Sequence, residues 1–299
     1  QTLLELEGRI NLTLVGEGVE QAALEDAMKT AWRPEQVGLT LRTHTGGVIQ
    51  LETDRIYLRP AVAEAALSLP GARGTLSYLV NSISCGPRST PYSFATAGPV
   101  PDDMRDDQVV INRWLADTLN AKPGDEVVVR YFEFTSSNQF VERSRTFSVH
   151  SIVEMPELAM ERDLMPQFPG LTDVERCEDW DIGMPLDQDQ LSDEANEAYW
   201  NDFGPTPKFL CTLAAGQAMW GNRYGDLMAV RLNAGLTSES AIIDALCRRV
   251  TPGEAGLTLL PVRQQAFDAV EQAIDLGGLF LGMSFFLIVA ALILTALLF

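Results

Sequence analysis

The chain has 299 residues and a formal charge of −19, from 22 basic against 41 acidic side chains. Phosphate backbones are held by clustered Lys and Arg, so this balance excludes a nucleic-acid partner. A hydrophobic fraction of 46% fits an ordered globular chain, one terminal apolar run raises that figure, and no low-complexity tract interrupts it.

From the N-terminus, Ile10 to Val15 alternates with period two and stops at Gly16-Glu17-Gly18, which predicts a strand. Val19, Ala23, Ala27, Met28 and Ala31 then recur at helical spacing as far as Arg33-Pro34, and Leu39 to Thr43 reads as a second strand. The same order returns near the other end. Leu227 to Leu232 reads as a strand, Ser238 can cap a helix running to about Val250, and Leu257 to Leu260 reads as another strand. The expected fold class is therefore α+β, a mixed α/β lobe built from both chain ends with a β-rich lobe inserted between them. In that arrangement the strands at 10–15 and 227–232 share one sheet. Two unrelated units give the same pattern, and that alternative stays open. The expected division is 1–69 and 205–275 for the two parts of the α/β lobe, 70–204 for the inserted lobe, and 276–299 for a terminal helix.

Local structure is clearest in the middle. Val109-Val110-Ile111 is a short buried strand, Asn112 an N-cap, and residues 113–119 a two-turn helix with Leu115 and Leu119 on one face. In Lys122-Pro123-Gly124-Asp125 the proline fixes φ and the glycine supplies a positive φ, which makes a tight turn. Residues 126–132 and 146–153 form a strand pair turning at Ser136-Ser137-Asn138, with Phe147, Val149 and Val153 on one face.

Residues 276–299, LGGLFLGMSFFLIVAALILTALLF, are 24 residues without a charge. As a helix they measure ~36 Å, enough to cross the hydrocarbon core of a bilayer. The approach carries Asp268, Glu271 and Asp275 against one base, Arg263, and cytoplasmic flanks are enriched in bases, so the preceding domain is expected outside the cytoplasm. A start at Gln1 and an end at apolar Phe299 lead to the expectation of an internal piece of a longer membrane protein.

The search for chemistry assigns no catalytic, cofactor-binding or metal-binding residue. The acids Glu178, Asp179, Asp181, Asp187, Asp189, Asp193, Glu194 and Glu197 do not fit an EF-hand and read as a solvated loop, with an irregular calcium site as the alternative. His44 and His150, far apart in sequence, lack the usual company of zinc ligands. Gly282-Met283-Ser284-Phe285 lacks the final glycine of a nucleophile elbow, and no GxxxxGK[ST] is present. Cys85, Cys177, Cys211 and Cys247 allow up to two disulfides or four buried thiols. Trp180, Tyr199, Trp200, Phe203, Trp220 and Tyr224 read either as a small core under long loops or as a docking face.

The order VVINRWLADTLNAKPGDEVVVRYF followed by SRTFSVHSIV resembles the strand, helix, GD turn, strand and hairpin of the periplasmic core domain in FtsX-like ABC transporter permeases, of the MacB type. That group includes the macrolide-exporter, lipoprotein-release and cell-division permeases. The terminal apolar run is similar to the helix that follows the domain there, and PKFLCTLAAGQAMWGNRYGDLMAVRL to the stretch returning to the membrane-proximal lobe. His150 and Ser151 depart from the Val-Gly pair frequent in the family. The resemblance implies a two-lobed extracytoplasmic domain in the plasma (inner) membrane, a separate ABC ATPase subunit as partner, a permease dimer, and mechanical coupling to ATP hydrolysis in place of chemistry. It implies no cofactor and leaves the transported or regulated partner open. A membrane-anchored ligand-binding or sensor ectodomain is the rival reading, and an anchored hydrolase the third.

Overall fold

The computed structural model describes residues 14–299 apart from 17, 45, 156–163, 167, 169, 181, 182 and 275. It divides into two compact units, Gln1–Gly256 and Leu257–Phe299, each described by itself. Of the strand predicted at 10–15, residues 10–13 lie outside the described residues, and Leu14 and Val15 are irregular and exposed.

Helix α1 (Gln21–Ala31) follows the predicted spacing, yet none of its residues is buried. Pro34 ends the run as expected by opening a 3-10 turn, and Trp32 just before it is anchored in the core. Strands β1 (Leu39–His44) and β2 (Val48–Thr53) pair antiparallel, and β2 pairs in turn with β9 (Ala229–Asn233) from the far end of the unit. Ile49, Leu51, Val230 and Leu232 are buried, as are Val62 and Ala66 of α2 (Pro60–Leu67) and Ile242 and Leu246 of α7 (Glu239–Arg249). Ser238 caps α7 by accepting a hydrogen bond from the Ala241 amide at 3.3 Å, the role its position in the sequence predicts.

Strand β3 (Arg73–Cys85) belongs to two sheets. Its residues 73–75 pair with β9, while Leu76 onward pairs with β4 (Arg88–Ala97) and Ser82 to Ser84 with β6 (Glu126–Phe134). From β4 the ladder runs to β8 (Phe209–Cys211), β5 (Gln108–Asn112), β7 (Phe140–Val153) and β6, which returns to β3. Six strands thus close into a ring, and closure reduces the strand edge left open for pairing with another chain. Ile83, Val129, Phe147 and Phe209 fill the interior, joined by Leu115 of α3 (Arg113–Leu119) and Trp220 of α6 (Leu213–Trp220). Each side chain of that size, once fully buried, contributes on the order of 1.5–3 kcal/mol of transfer free energy.

The predicted local motif folds as read. Asn112 Oδ1 accepts from the Leu115 amide at 2.7 Å, α3 ends at Asn120 in the left-handed region, and Gly124 sits at φ +94°. Asp125 closes the turn by accepting from the Lys122 amide at 2.8 Å. Asn138, at φ +60°, turns the β6–β7 hairpin, whose strands run longer than expected at the hairpin end.

Three expectations are corrected. Phe147 and Val149 face the interior, but β7 carries an extra residue there: Val109 lies opposite Val149 and Val110 opposite Ser151. This bulge at His150 reverses the alternation, so Ile152 follows them inward and Val153 packs with Met104 and Val110. Residues 209–220, expected in the second part of the α/β lobe, pack into the ring. Phe209 and Cys211 are buried in its interior and Leu210 against Val110 and Leu164, a demand on both faces that an interior strand position satisfies. Leu257 to Leu260 is irregular rather than a strand; it follows α8 (Pro252–Ala255), which Thr251 and Glu254 start with a capping box, and β9 already has β2 and β3 on its two edges.

The second unit consists of α9 (Val262–Ile274) and α10 (Leu276–Leu298). Within α10, Gly277–Leu298 is long and apolar enough to cross a membrane, with a mean hydropathy of 2.6.

A Cβ added at Gly124 meets nothing within 4 Å, so the cost of a side chain there is all in the backbone. Gly124→Val is expected to lower stability by about 1–3 kcal/mol, and Gly124→Asn by less, because Asn tolerates the left-handed region. Thermal unfolding of the two variants beside the parent checks the order.

Candidate functional site

The structure gives four of the acids of 178–197, Glu178, Asp187, Asp193 and Glu197, separate tasks. Asp187 caps α4 (Gln188–Leu191) by accepting from the Asp189 amide, and Asp193 caps α5 (Glu194–Phe203) by accepting from the Asn196 amide at 2.8 Å. Glu197 accepts from the Cys177 amide at 3.0 Å, and Arg176 pairs with Glu178 at 3.0 Å and Glu197 at 3.8 Å. Asp181 lies outside the described residues. Among the described residues no group of three or more His, Cys, Asp or Glu is placed to hold a metal ion. His44 lies on β1 and His150 on β7, where its Nε2 is 3.8 Å from Asp103.

All four cysteines are free thiols. Burial pushes Cys177 and Cys211 up to about 12, which keeps them protonated and unreactive at neutral pH. The aromatic group divides. Trp180 and Trp200 pack edge to face at 5.4 Å beside Phe94, Trp220 stacks on Tyr78 at 5.3 Å, and Tyr224 stays 59% exposed.

A feature the sequence reading did not single out is Lys208. Its amide donates to the Phe94 carbonyl at 2.7 Å and its carbonyl accepts from the Asn112 amide at 3.0 Å, which fixes the backbone on both sides just before β8. Its side chain is buried at 2% residue exposure. Nζ lies 4.2 Å from the Trp114 ring centre and 4.8 Å from that of Tyr199, and it donates to Asn196 Oδ1 on α5. Asn196 in turn donates to the Pro91 carbonyl at 2.8 Å and accepts from Thr90 Oγ1 at 3.1 Å. Two aromatic faces and one amide are weak replacements for water around an ammonium. Burial therefore lowers Lys208 to about 7, against smaller upward pulls from Cys177 and Asp193. Cys177 is itself neutral near pH 7, so that pull is lost where Lys208 titrates. The sequence signal, a lysine directly before the apolar Phe209-Leu210-Cys211, was present but had no partner in view.

The second site is an apolar cavity of about 230 Å³. Its lining comes from five separate places: Tyr78 and Leu79 of β3, Phe134 and Phe140 at the turn end of the β6–β7 hairpin, Met165, Phe168, Leu171 and Met184 in the long connection, Ile56 and Tyr57, and the 222–228 turn. At the rim Asn222 donates to the Tyr57 hydroxyl at 2.9 Å. Gly225 allows that approach, since a Cβ there would lie 2.4 Å from the Tyr57 Cβ. Arg223 ties the turn to the hairpin through Asn138, and the Tyr224 ring tilts over Phe134 at 6.0 Å.

No protein-family model matches the sequence, and no curated protein matches it. Solved structures that it is similar to include a periplasmic region and a permease domain by their descriptions. One is the periplasmic region of MacB from Actinobacillus actinomycetemcomitans, at a TM-score of 0.38 and 9% identity over 77% of this chain and 93% of that one. The other is a domain described as belonging to a permease from Porphyromonas gingivalis, at a TM-score of 0.34 and 11% identity over 74% of this chain and 85% of that one.

Lys208 gives a pH dependence with a definite sign. The unfolded chain holds this proton up to about pH 10, whereas the native state releases it near 7. Between those values the unfolded state binds more protons, so stability rises with pH, by at most about 1.4 kcal/mol per pH unit. Urea unfolding of the chain from pH 6 upward is expected to show this rise through the window, and Lys208→Met to flatten it.

Proposed function

We propose that the chain is the extracytoplasmic domain of an FtsX-like ABC transporter permease in the plasma membrane, with α10 as the following membrane helix. Its work on this reading is mechanical: ATP hydrolysis by a separate subunit in the cytoplasm moves the domain, and the permease acts as a dimer. The β1–β2–β9 sheet with its helices is the membrane-proximal lobe, and the ring of strands the inserted lobe.

The observation that carries the reading is β3. A single strand of 13 residues pairs at one end with β9, whose chain leads on to α10, and at the other closes the ring. Hydrogen-bonded sheet of this kind resists extension and shear, so β3 is a path by which a displacement at the β9 end is passed to the ring. The resembling motif supports the same reading, because β5, β7 and β6, the strands that α3, the Gly124 turn and the hairpin connect, are neighbours in that ring.

The apolar cavity favours a second reading, a membrane-anchored ligand-binding or sensor ectodomain. The two are separated by spin labels at Arg88, on the hairpin joining β3 and β4, in the full-length protein purified with its ATPase. A change in the label-to-label distance on adding a non-hydrolysable ATP analogue is expected. A distance indifferent to nucleotide, or a full-length protein that recruits no ATPase, overturns the mechanical reading.

Orientation has its own test. Leu260 is 61% exposed and precedes α9 in the chain. With the four native cysteines changed to alanine, Leu260→Cys is expected to react with a membrane-impermeant thiol reagent in whole cells; reaction only after lysis reverses the assignment.

A further inference from the structure

We propose that the cavity between β3, the turn end of the β6–β7 hairpin and Met165, Phe168, Leu171 and Met184 is a binding site for one small uncharged apolar molecule, an aromatic ring with at most a short alkyl substituent. The inference does not rest on the transporter reading, since it follows from the lining alone.

Size comes first. At about 230 Å³ the cavity exceeds the ~150 Å³ of an apolar protein cavity known to hold benzene. It is too small for a large cargo such as a folded peptide, and its walls set the ligand's shape. Tyr78, Phe134, Phe140 and Phe168 offer ring faces and edges, which favour another ring at offset or edge-to-face geometry. Met165, Met184 and Met228 are unbranched and polarisable, and adapt to ligands of slightly different outline.

Charge and hydrogen bonding come next. No described residue of the lining is charged, so neither a carboxylate nor an ammonium ligand finds a counter-ion there. The few polar groups already have partners within the protein. Ser77 Oγ is 2.8 Å from Thr96 Oγ1 and donates to the Leu164 carbonyl at 2.9 Å. The Tyr78 hydroxyl donates to the Phe132 carbonyl, and the Tyr57 hydroxyl accepts from Asn222. Asn222 Oδ1 accepts from the Tyr224 amide at 2.9 Å, and the Tyr224 hydroxyl accepts from Arg223. A water molecule needs two to four polar partners to be held in place, and this lining has little left to offer one. Apolar wall without water or protein filling it forfeits contact energy, and an apolar molecule restores it.

Access is by way of the rim. Tyr224 and Ile56 line the cavity and are 59% and 46% exposed, so the mouth opens beside the turn that Arg223 clips to the hairpin.

The test uses the full chain in lipid nanodiscs with 3-trifluoromethyl-3-phenyldiazirine, an uncharged photoprobe of benzene size, and maps labelled peptides by mass spectrometry. The probe also enters the bilayer, so label on α10 serves as the internal reference. Label is expected on the peptides carrying Met165, Phe168 and Met184, and excess toluene is expected to reduce it at least fivefold relative to α10. Leu171→Trp, which fills the cavity, is expected to reduce it by a similar factor. Should that buried change unfold the chain, Tyr224→Ala at the exposed rim is the second variant, expected to keep the label and to speed its saturation. Label confined to α10, or lining label that toluene does not compete, overturns the site. Neither result depends on an ATPase, so failure here is distinct from failure of the mechanical reading.

Discussion

Everything in the first unit depends on β3 remaining one strand while its partners change. Over ~43 Å of extended chain it leaves β9 and takes up β4 and β6, so the sheet to which both chain ends contribute and the closed ring share a common backbone. Where the two diverge, space is short. A Cβ at Gly74 would lie 2.5 Å from Leu227 and 3.0 Å from Leu213, and one at Gly98 would lie 2.7 Å from the Gly74 carbonyl. The chain meets this crowding with glycine at both positions. The Gly98 amide at the same time donates to the Cys211 carbonyl at 3.1 Å, which ties β8 to the junction. The ring closes because β3 is long enough to reach β6 after it has finished with β9.

Outside the ring, the connection from 164 to 208 covers the β3–β4 hairpin with an aromatic cluster and a buried polar network. Trp180, Trp200 and Phe94 supply apolar area, which is tolerant of small shifts. Asn196, Thr90, Lys208 and Tyr199 supply hydrogen bonds, which are not. Tyr199 accepts from Asn112 at 2.9 Å and donates to the Thr206 carbonyl at 2.9 Å, so the residue that caps α3 also holds the cover. Buried polar groups of this kind add little net stability, but each wrong register leaves one unsatisfied at about 1–3 kcal/mol. The network therefore selects the position of α5, and the aromatic cluster provides most of the energy that keeps it there.

The parts of this architecture legible in the sequence are those decided within a few residues. Asn112 before an apolar helix, Pro123-Gly124 in a turn and Ser238 ahead of α7 each carry their own reason, and each is found where it was expected. The misreadings are non-local. Nothing near Val149 announces that β5 will pair with β7 out of step at His150, so the alternation was carried one residue too far. Leu257 to Leu260 has strand composition, but a strand needs a free edge, and the edges of β9 are claimed by β2 and β3. Phe209 to Cys211 was placed by its neighbours in sequence, whereas burial on both faces puts it inside the ring. The cavity was beyond reach for the same reason, since its aromatic and methionine lining is drawn from five segments and no one of them is unusual.

The placement of that cavity bears on what the domain can do. Its walls belong to bodies held together in different ways: β3 there by its ladder to β4, the hairpin end by the β6–β7 pairing, and the connection by side-chain packing. A ligand seated among them gains contact only when the hairpin end and the connection are both close, so it stabilises that arrangement over any more open one. The shift it can impose equals its difference in affinity between the two, and a tenfold difference corresponds to about 1.4 kcal/mol. That is small beside the cohesion of the ring, and comparable to the few contacts at the rim, among them Arg223 with Asn138 and Asn222 with Tyr57. A small apolar molecule can therefore set the position of the hairpin end relative to its cover without disturbing the ring. The cavity is thus the place where binding can alter the shape of the first unit while the ring keeps its own.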